Sequence, residues 1–222
     1  MKKILTALVV ATGLLLTGCS NVDAALSLGD TKVTTAELQA NVDSILAERG
    51  KVDTTQMQLE TGANLLRNQL NFKLLLAGFS EIATELDIQI TSSEIAGRRG
   101  EIIEQVGGEE ALPAALVSAA IAPEDLDGYL RALLTTQKLG QALGQTGVAE
   151  AEIQTRIQEL FIAKINELKI KVNPRYGIWA PTTGTIIAGE AAGDVVTPSK
   201  DCLLYTSPSP RDRTRSRMPS SA

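Results

Sequence analysis

The fold of this chain depends on one long periodic segment, Phe72-Lys73-Leu74-Leu75-Leu76-Ala77-Gly78-Phe79-Ser80-Glu81-Ile82-Ala83-Thr84-Glu85-Leu86. Its apolar residues recur at intervals of three and four, which is the spacing of one face of an α-helix. They are Phe72, Leu75, Leu76, Phe79, Ile82, Ala83 and Leu86, and a neighbouring row adds Leu59, Ala63, Leu66 and Leu70. So broad an apolar surface must be covered from several sides. We therefore predict a helix from Thr55 to about Leu86 at the centre of the domain, with most of its apolar residues in the core and with Gly62 and Gly78 at close helix contacts.

Further helices are predicted on both sides of this segment. Two capping boxes, Thr34 to Glu37 and Thr91 to Glu94, mark helix starts, because in each the threonine hydroxyl and the glutamate can satisfy each other's backbone amides. The first helix should end at Gly50 and the second at Gly107-Gly108. The other predicted helices run from Glu109 to about Ala120, from Pro123 onward and from Glu150 to Leu168, with Gly140 to Gly147 as a loop or hinge.

Short apolar alternations near both ends predict a small sheet. Leu26 and Leu28 alternate with polar residues within Ala25–Val33, and Ile170 and Val172 alternate with lysines. We predict that the two segments pair. Aromatic residues make up only 3% of the chain, which favours packed helices over a β-sandwich. The predicted fold class is therefore mainly α, a multi-helix domain with a small β pairing of its terminal segments.

The N-terminal residues 1–18 have the pattern of a lipoprotein signal peptide. Lys2 and Lys3 precede an apolar run that ends in Leu16, Thr17, Gly18 and Cys19. The run is shorter than the ~20 residues that a membrane-spanning helix needs. Leu16-Thr17-Gly18-Cys19 resembles a bacterial lipobox, which implies a diacylglyceryl group on Cys19 and an extracytoplasmic protein held on the cell membrane. The alternatives are a plain secretory signal with a chance cysteine, or a buried apolar segment.

Composition excludes several classes of function. The chain contains no histidine, so Ser-His-Asp catalysis, Cys-His catalysis and histidine-ligated metal sites are excluded. Cys19 and Cys202 are the only cysteines. The net charge is −10 between Cys19 and Asp201, which makes nucleic acid an unsuitable partner. We predict no catalytic residues, no metal and no cofactor, with membrane attachment resting on the acyl chains.

Three charged pairs and one turn motif are the remaining candidate sites. Arg98-Arg99, Glu109-Glu110 and Glu124-Asp125 each lie near a predicted helix end, where solvated charges are ordinary, so we interpret none of them as catalytic. The turn motif consists of Asn173, Pro174, Arg175, Tyr176 and Gly177. We interpret it as structural, with Tyr176 and Trp179 packing down onto the domain.

The C-terminal residues 181–222 have a composition that predicts disorder. They are rich in Gly, Thr and Ala and later in Ser, Pro and Arg. Leu203 to Asp212 looks like translated sequencing-adapter read-through, so we treat residues 202–222 as an artefact. We therefore expect that the native C-terminus is missing from this sequence. The predicted domain itself covers residues 19–180.

The order of these elements resembles the N-terminal domain of SurA- and PrsA-type extracytoplasmic foldases, and most closely the single-domain lipoprotein members of actinobacteria. The resemblance covers Ala24 to Trp179, and Val172-Asn173-Pro174-Arg175-Tyr176-Gly177 is its most distinctive part. It implies a helical chaperone domain that holds unfolded or extended secreted polypeptides. Many relatives add a parvulin-type prolyl isomerase domain, for which this chain has no segment. A prolyl isomerase and a partner-binding lipoprotein without chaperone activity are the two alternatives.

Overall fold

The computed structural model describes residues 23–189, and this part of the chain is mainly helical. Short 3₁₀ turns, Glu109–Ala111 and Pro123–Asp125, precede the fourth and fifth helices. The regular elements are β1 (Ala24–Leu28), β2 (Thr31–Thr34), α1 (Thr35–Arg49), α2 (Gly62–Glu85), α3 (Ser92–Val106), α4 (Leu112–Ser118), α5 (Leu126–Gln145), α6 (Glu150–Glu167), β3 (Lys171–Val172), β4 (Ile178–Ala180) and β5 (Thr185–Ile187). The predicted mainly-α fold class is confirmed.

Both predicted capping boxes are present. The Thr34 hydroxyl accepts from the Glu37 amide at 3.1 Å, and the Thr34 amide donates to the Glu37 carboxylate at 2.7 Å. Thr91 and Glu94 make the same reciprocal pair at the start of α3. Each box satisfies two amides that would otherwise lack a partner in the first turn, so these two helix starts are set by local sequence.

The predicted pairing of the terminal strands is also confirmed. β1 is the central strand of a three-stranded sheet in the order β2-β1-β3, with β2 and β3 both antiparallel to it. Leu26 lies opposite Val172, and both Leu26 and Leu28 are buried. The Gly29 amide donates to the Leu168 carbonyl at 2.5 Å, which ties the β1–β2 turn to the end of α6. The sheet therefore joins the first and the last parts of the helical array.

Helix α2 begins later than the sequence predicted. Its first residue is Gly62, not Thr55, because the Asp53 carboxylate accepts from both the amide and the hydroxyl of Thr55 and holds residues 53–55 in a turn. Gly62 has a φ of +55° and no side-chain neighbour, so it marks a change of chain direction and not a close helix contact. Gly78 is such a contact, since a methyl group there would lie 2.5 Å from Phe161 Cε2.

Helix α5 continues through the segment that was predicted to be a loop. It runs unbroken to Gln145, although Gly140 and Gly144 lower its helix propensity. Tertiary packing explains this difference. A methyl group on Gly140 would lie 3.4 Å from Ile153 Cγ2, and one on Gly144 would lie 3.8 Å from Ile153 Cδ1. The two glycines therefore form the surface on which α6 packs.

The folded chain extends past residue 180, so the expectation of disorder from residue 181 is wrong for residues 181–188. β5 pairs with β4 in an antiparallel hairpin, with Trp179 opposite Ile186. Ile186 is 2% exposed and belongs to the core that contains Leu26, Leu70 and Ile165. The predicted artefact at residues 202–222 lies outside the described residues.

Candidate functional site

One groove lies between α2 and α5 and is bounded on one side by the connector that follows α2. Its volume is about 670 Å³. Helix α2 contributes residues spaced by three and four, and α5 contributes small residues at the same helical spacing. The lining comprises Lys73, Leu76, Ala77, Phe79, Ser80, Ala83 and Thr84 of α2, Gly128, Arg131, Ala132 and Thr135 of α5, Thr31 and Val33 of β2, and Asp87, Ile88, Gln89 and Ile90 of the connector.

Several apolar residues that were interpreted as core line this groove instead. Leu70 and Ile82 are buried, in agreement with the sequence interpretation, and Leu74, which lies outside the two predicted apolar rows, is buried as well. Leu76, Phe79 and Ala83 are only half-buried and form the groove wall. The α2 stripe is therefore divided between a part that stabilises the domain and a part that can receive an apolar ligand.

A left-handed turn places the connector over the groove. Asp87 has a φ of +50°, and the Ile88 amide donates to the Ala83 carbonyl at 2.8 Å, so the chain reverses direction directly after α2. The Gln89 carbonyl then accepts from Lys138 Nζ at 2.6 Å. These two contacts fix Ile88 and Ile90 as one wall of the groove.

Lys138 also joins the connector to the start of α3. Its ammonium group lies 2.6 Å from the Glu94 carboxylate. This Lys138 hydrogen bond, together with the Thr91 amide and hydroxyl, lowers the pKa of Glu94 from 4.5 to about 2. The groove wall is therefore held by charge-assisted hydrogen bonds from α5.

A polar network lies at the Lys73 end of the groove. Lys73 Nζ contacts both carboxylate oxygens of Asp125, at 2.6 and 2.7 Å. Asn41 Nδ2 donates to Asp125 at 2.6 Å and to the Gln69 carbonyl oxygen at 3.1 Å. Gln69 in turn donates to the Ala120 carbonyl at 2.7 Å. This network connects α1, α2 and the turn before α5.

One of the three charged pairs was interpreted incorrectly. Asp125 was expected to be a solvated helix-end residue, but only 12% of its side chain is exposed because it faces α1 and α2. Glu124 accepts from the Ser44 hydroxyl at 2.9 Å. Arg98 and Arg99 form ion pairs with Glu101 and Asp127, as expected of solvated charges, but they lie in the middle of α3 and not near its end. The signal for Asp125 was its place after Pro123, where the 3₁₀ turn directs it inward.

Among residues 23–189, two of the hydroxyls that line the groove donate to carbonyls of their own helices. Thr84 donates its hydroxyl to the Ser80 carbonyl, and Thr135 donates to the Arg131 carbonyl, so both hydroxyls are occupied by their own helices. No group of three or more acidic or cysteine side chains that could hold a metal ion occurs in this range. The described helices also include none that is long and apolar enough to cross a bilayer.

The turn motif joins the two ends of the domain. The Asn173 amide donates to the Ala25 carbonyl at 3.0 Å, and its side-chain amide donates to the Ala24 carbonyl at 3.3 Å. The Asn173 carbonyl accepts from the Tyr176 amide at 2.9 Å, and its side-chain oxygen accepts from the Arg175 amide at 3.1 Å. Pro174 is exposed and Gly177 is buried against β5. The motif lies apart from the groove.

The predicted lipidation site, Cys19, and the lipobox residues Leu16, Thr17 and Gly18 lie outside the described residues. A search for related proteins found no matching family model, no matching curated protein and no matching solved structure. The candidate site therefore rests on the groove geometry alone.

Proposed function

We propose that this chain is a lipid-anchored extracytoplasmic chaperone that binds unfolded or extended secreted polypeptides in the α2–α5 groove. The observation that carries the proposal is the combination of half-buried apolar walls and small residues in a groove of about 670 Å³. An apolar side chain entering such a groove loses water-exposed surface, which contributes on the order of 25 cal/mol per Å² before ordering costs. Backbone groups of the client would remain free to bind water.

The charges around the groove suit a neutral segment. Lys73 is paired with Asp125, and Arg131 and Asp87 lie on the exposed rim. The overall acidic charge can still attract basic unfolded chains over longer range, and salt would weaken that attraction. We expect weak, reversible binding with broad sequence tolerance.

Groove-filling variants test this proposal. Ser80 and Thr84 are exposed on α2 and line the groove, so Ser80→Trp and Thr84→Trp would occupy its mouth without entering the core. Glu81→Trp on the same helix is the matched control, since Glu81 is exposed but does not line the groove. The wild type and the Glu81 variant should suppress aggregation of a denatured test protein at near-stoichiometric amounts, and the two groove variants should not.

A peptide assay separates the proposal from isomerase activity. The chaperone should leave the cis/trans interconversion rate of a prolyl peptide unchanged. A rate increase that persists through purification would instead indicate an isomerase. Failure of the wild type to protect any test protein would favour a partner-binding lipoprotein.

The anchor is tested independently of the groove. Metabolic labelling with a fatty acid should mark the wild type and not Cys19→Ser, because the serine variant lacks the thiol that would receive the diacylglyceryl group. Two acyl chains on Cys19 would hold the protein on the membrane far more firmly than one. Equal labelling of the two proteins would refute the anchor and leave the groove proposal standing.

A further inference from the structure

The outer face of the β4–β5 hairpin carries a pair of exposed isoleucines. Ile178 and Ile187 lie directly opposite each other in the hairpin register and are 49% and 44% exposed. Their neighbours Trp179 and Ile186 pack against the core, so alternation along the strands places the isoleucines on the opposite face. The other large apolar residues that are exposed within residues 23–189, Leu46, Leu86 and Leu160, lie on or just after three different helices.

The isoleucine pair lies near the end of the sheet at which the chain enters the domain. β1 starts at Ala24, and β3 runs antiparallel to it, so β3 leaves the sheet beside that start. The Asn173 side chain donates to the Ala24 carbonyl and so holds the end of β3 beside the start of β1. Ile178 follows five residues later and is the first residue of β4, whereas the other end of the hairpin lies against α6 through the Asn166 bond to Pro181.

The length of chain before the described residues limits where a lipid anchor can be. Cys19 precedes Asp23 by four residues, which can span at most about 14 Å when fully extended. If Cys19 carries the diacylglyceryl group, the start of β1 must stay within this distance of the membrane surface. The exposed isoleucine pair and the exposed Arg175 belong to the same part of the domain.

We infer that the β4–β5 hairpin docks on the lipid surface, with Ile178 and Ile187 buried at the boundary between headgroups and acyl chains. Shallow insertion of apolar side chains beside a basic residue is a general mode of interfacial binding. The Arg175 guanidinium can contact lipid phosphates, while Asp23 at the same end carries the opposite charge. The inference rests on the proposed anchor at Cys19 and is independent of chaperoning.

Trp179 provides a direct measurement, because it is the only tryptophan of the chain and neighbours Ile178. The full lipidated protein would be placed in phosphatidylethanolamine and phosphatidylglycerol vesicles whose acyl chains carry bromine near the headgroups. Docking brings Trp179 close to the bromines and should quench its fluorescence. The double variant Ile178→Thr/Ile187→Thr keeps β-branched residues and should lower the docked fraction about tenfold.

The double variant Leu46→Ser/Leu160→Ser is the control, since these leucines have similar exposure but lie on α1 and α6. It should be quenched like the wild type. The inference is overturned if wild-type protein with verified acylation of Cys19 is not quenched, or if the isoleucine variant is quenched equally. It also fails if that variant loses aggregation suppression but keeps its quenching, because the pair would then be a client site.

Discussion

Asn71 binds both the backbone amide and the backbone carbonyl of Ile186. Its side-chain amide donates to the Ile186 carbonyl at 2.9 Å, and its side-chain oxygen accepts from the Ile186 amide at 2.7 Å. A single side chain on the central helix thus replaces the strand that would otherwise pair with β5. The hairpin is attached to α2 through this contact and through the buried Ile186 side chain.

Replacing Asn71 with Asp should destabilise the domain. The carboxylate could still accept from the Ile186 amide, but it would repel the Ile186 carbonyl and leave that oxygen without a donor. Such a loss costs about 1–3 kcal/mol. Urea unfolding measures the change, and faster hydrogen exchange at the Ile186 amide would locate it. Asn166→Asp is the control, because Asn166 is exposed and donates one bond to Pro181 in the same hairpin. A similar loss in both variants would contradict the assigned role of Asn71.

Gly78→Ala should lower stability by about 1–3 kcal/mol, since overpacking forces neighbouring side chains from their positions. The added methyl group would meet Phe161 and Ile165 at 2.5 and 2.6 Å. Gly97→Ala is matched to it, because Gly97 is also helical but has open space around it. That variant should be stabilised by about 0.5–1 kcal/mol through higher helix propensity. Thermal unfolding measures the stability change of both variants. A change of the same sign in both would refute the close contact at Gly78.

Removing the positive charge of Lys73 should lower the free energy of unfolding more than removing the charge of an exposed lysine. Lys73→Met leaves Asp125 without its cationic partner and with the Asn41 hydrogen bond, in a site where the Lys73 and Asp125 side chains are 20% and 12% exposed. We expect a loss of about 1–3 kcal/mol, less than for a fully buried pair. Lys51→Met, which breaks an ion pair whose lysine is 65% exposed, should change stability by less than about 0.5 kcal/mol. Equal effects in urea unfolding would show that the network at Asp125 contributes little.

Acid should weaken the Glu94 contacts within a defined pH range. The pKa of Glu94 is about 2 in the folded protein and 4.5 ordinarily, so its contribution is complete above pH 4.5 and is lost as the pH falls toward 2. The stability difference between wild type and Glu94→Gln should therefore shrink across this range. Glu152→Gln is the control, since Glu152 lies at the same position of α6 after an alanine cap. Chemical unfolding at several pH values measures the stability of all three proteins. The prediction is wrong if wild type, Glu94→Gln and Glu152→Gln lose stability in parallel as the pH falls.

The C-terminal boundary can be tested by truncation. A chain ending at Ala188 should melt like the full protein, whereas one ending at Pro181 lacks β5 and the buried Ile186. Exposing that side chain and the core beneath it should lower stability by about 2–5 kcal/mol. Circular dichroism at the helical band would follow both transitions. Identical melting curves would mean that the hairpin adds nothing to the core.

Local signals in the sequence were sufficient where a few neighbouring residues determine the structure. The Thr34 and Thr91 caps and the pairing of Leu26 with Val172 follow from capping chemistry and from alternation. Local signals gave wrong predictions where contacts between residues far apart in the sequence determine the structure. Gly140 lies in a helix because Ile153 packs on it, and Asp125 is buried because Lys73 and Asn41 face it.

The groove was only partly predictable for the same reason. Periodicity identified Leu76, Phe79 and Ala83 as one apolar face, but which of them are covered depends on the small residues Gly128 and Ala132 of α5. A methyl group on Gly128 would lie 3.3 Å from Leu76 Cδ1. β5 was missed because its surroundings are rich in Gly and Thr, and its stability comes from Asn71, which lies 115 residues earlier.

The central position of β1 also determines when this protein can finish folding. Asn173 and Ala24, which hold the sheet together at its end, are separated by 149 residues. The helices between them can form from local contacts before the two strands meet. Closure of so long a loop is slow compared with helix formation. We expect the pairing of β1 with β3 to be a late step of folding, and a chain that ends before Val172 would keep one edge of β1 unpaired.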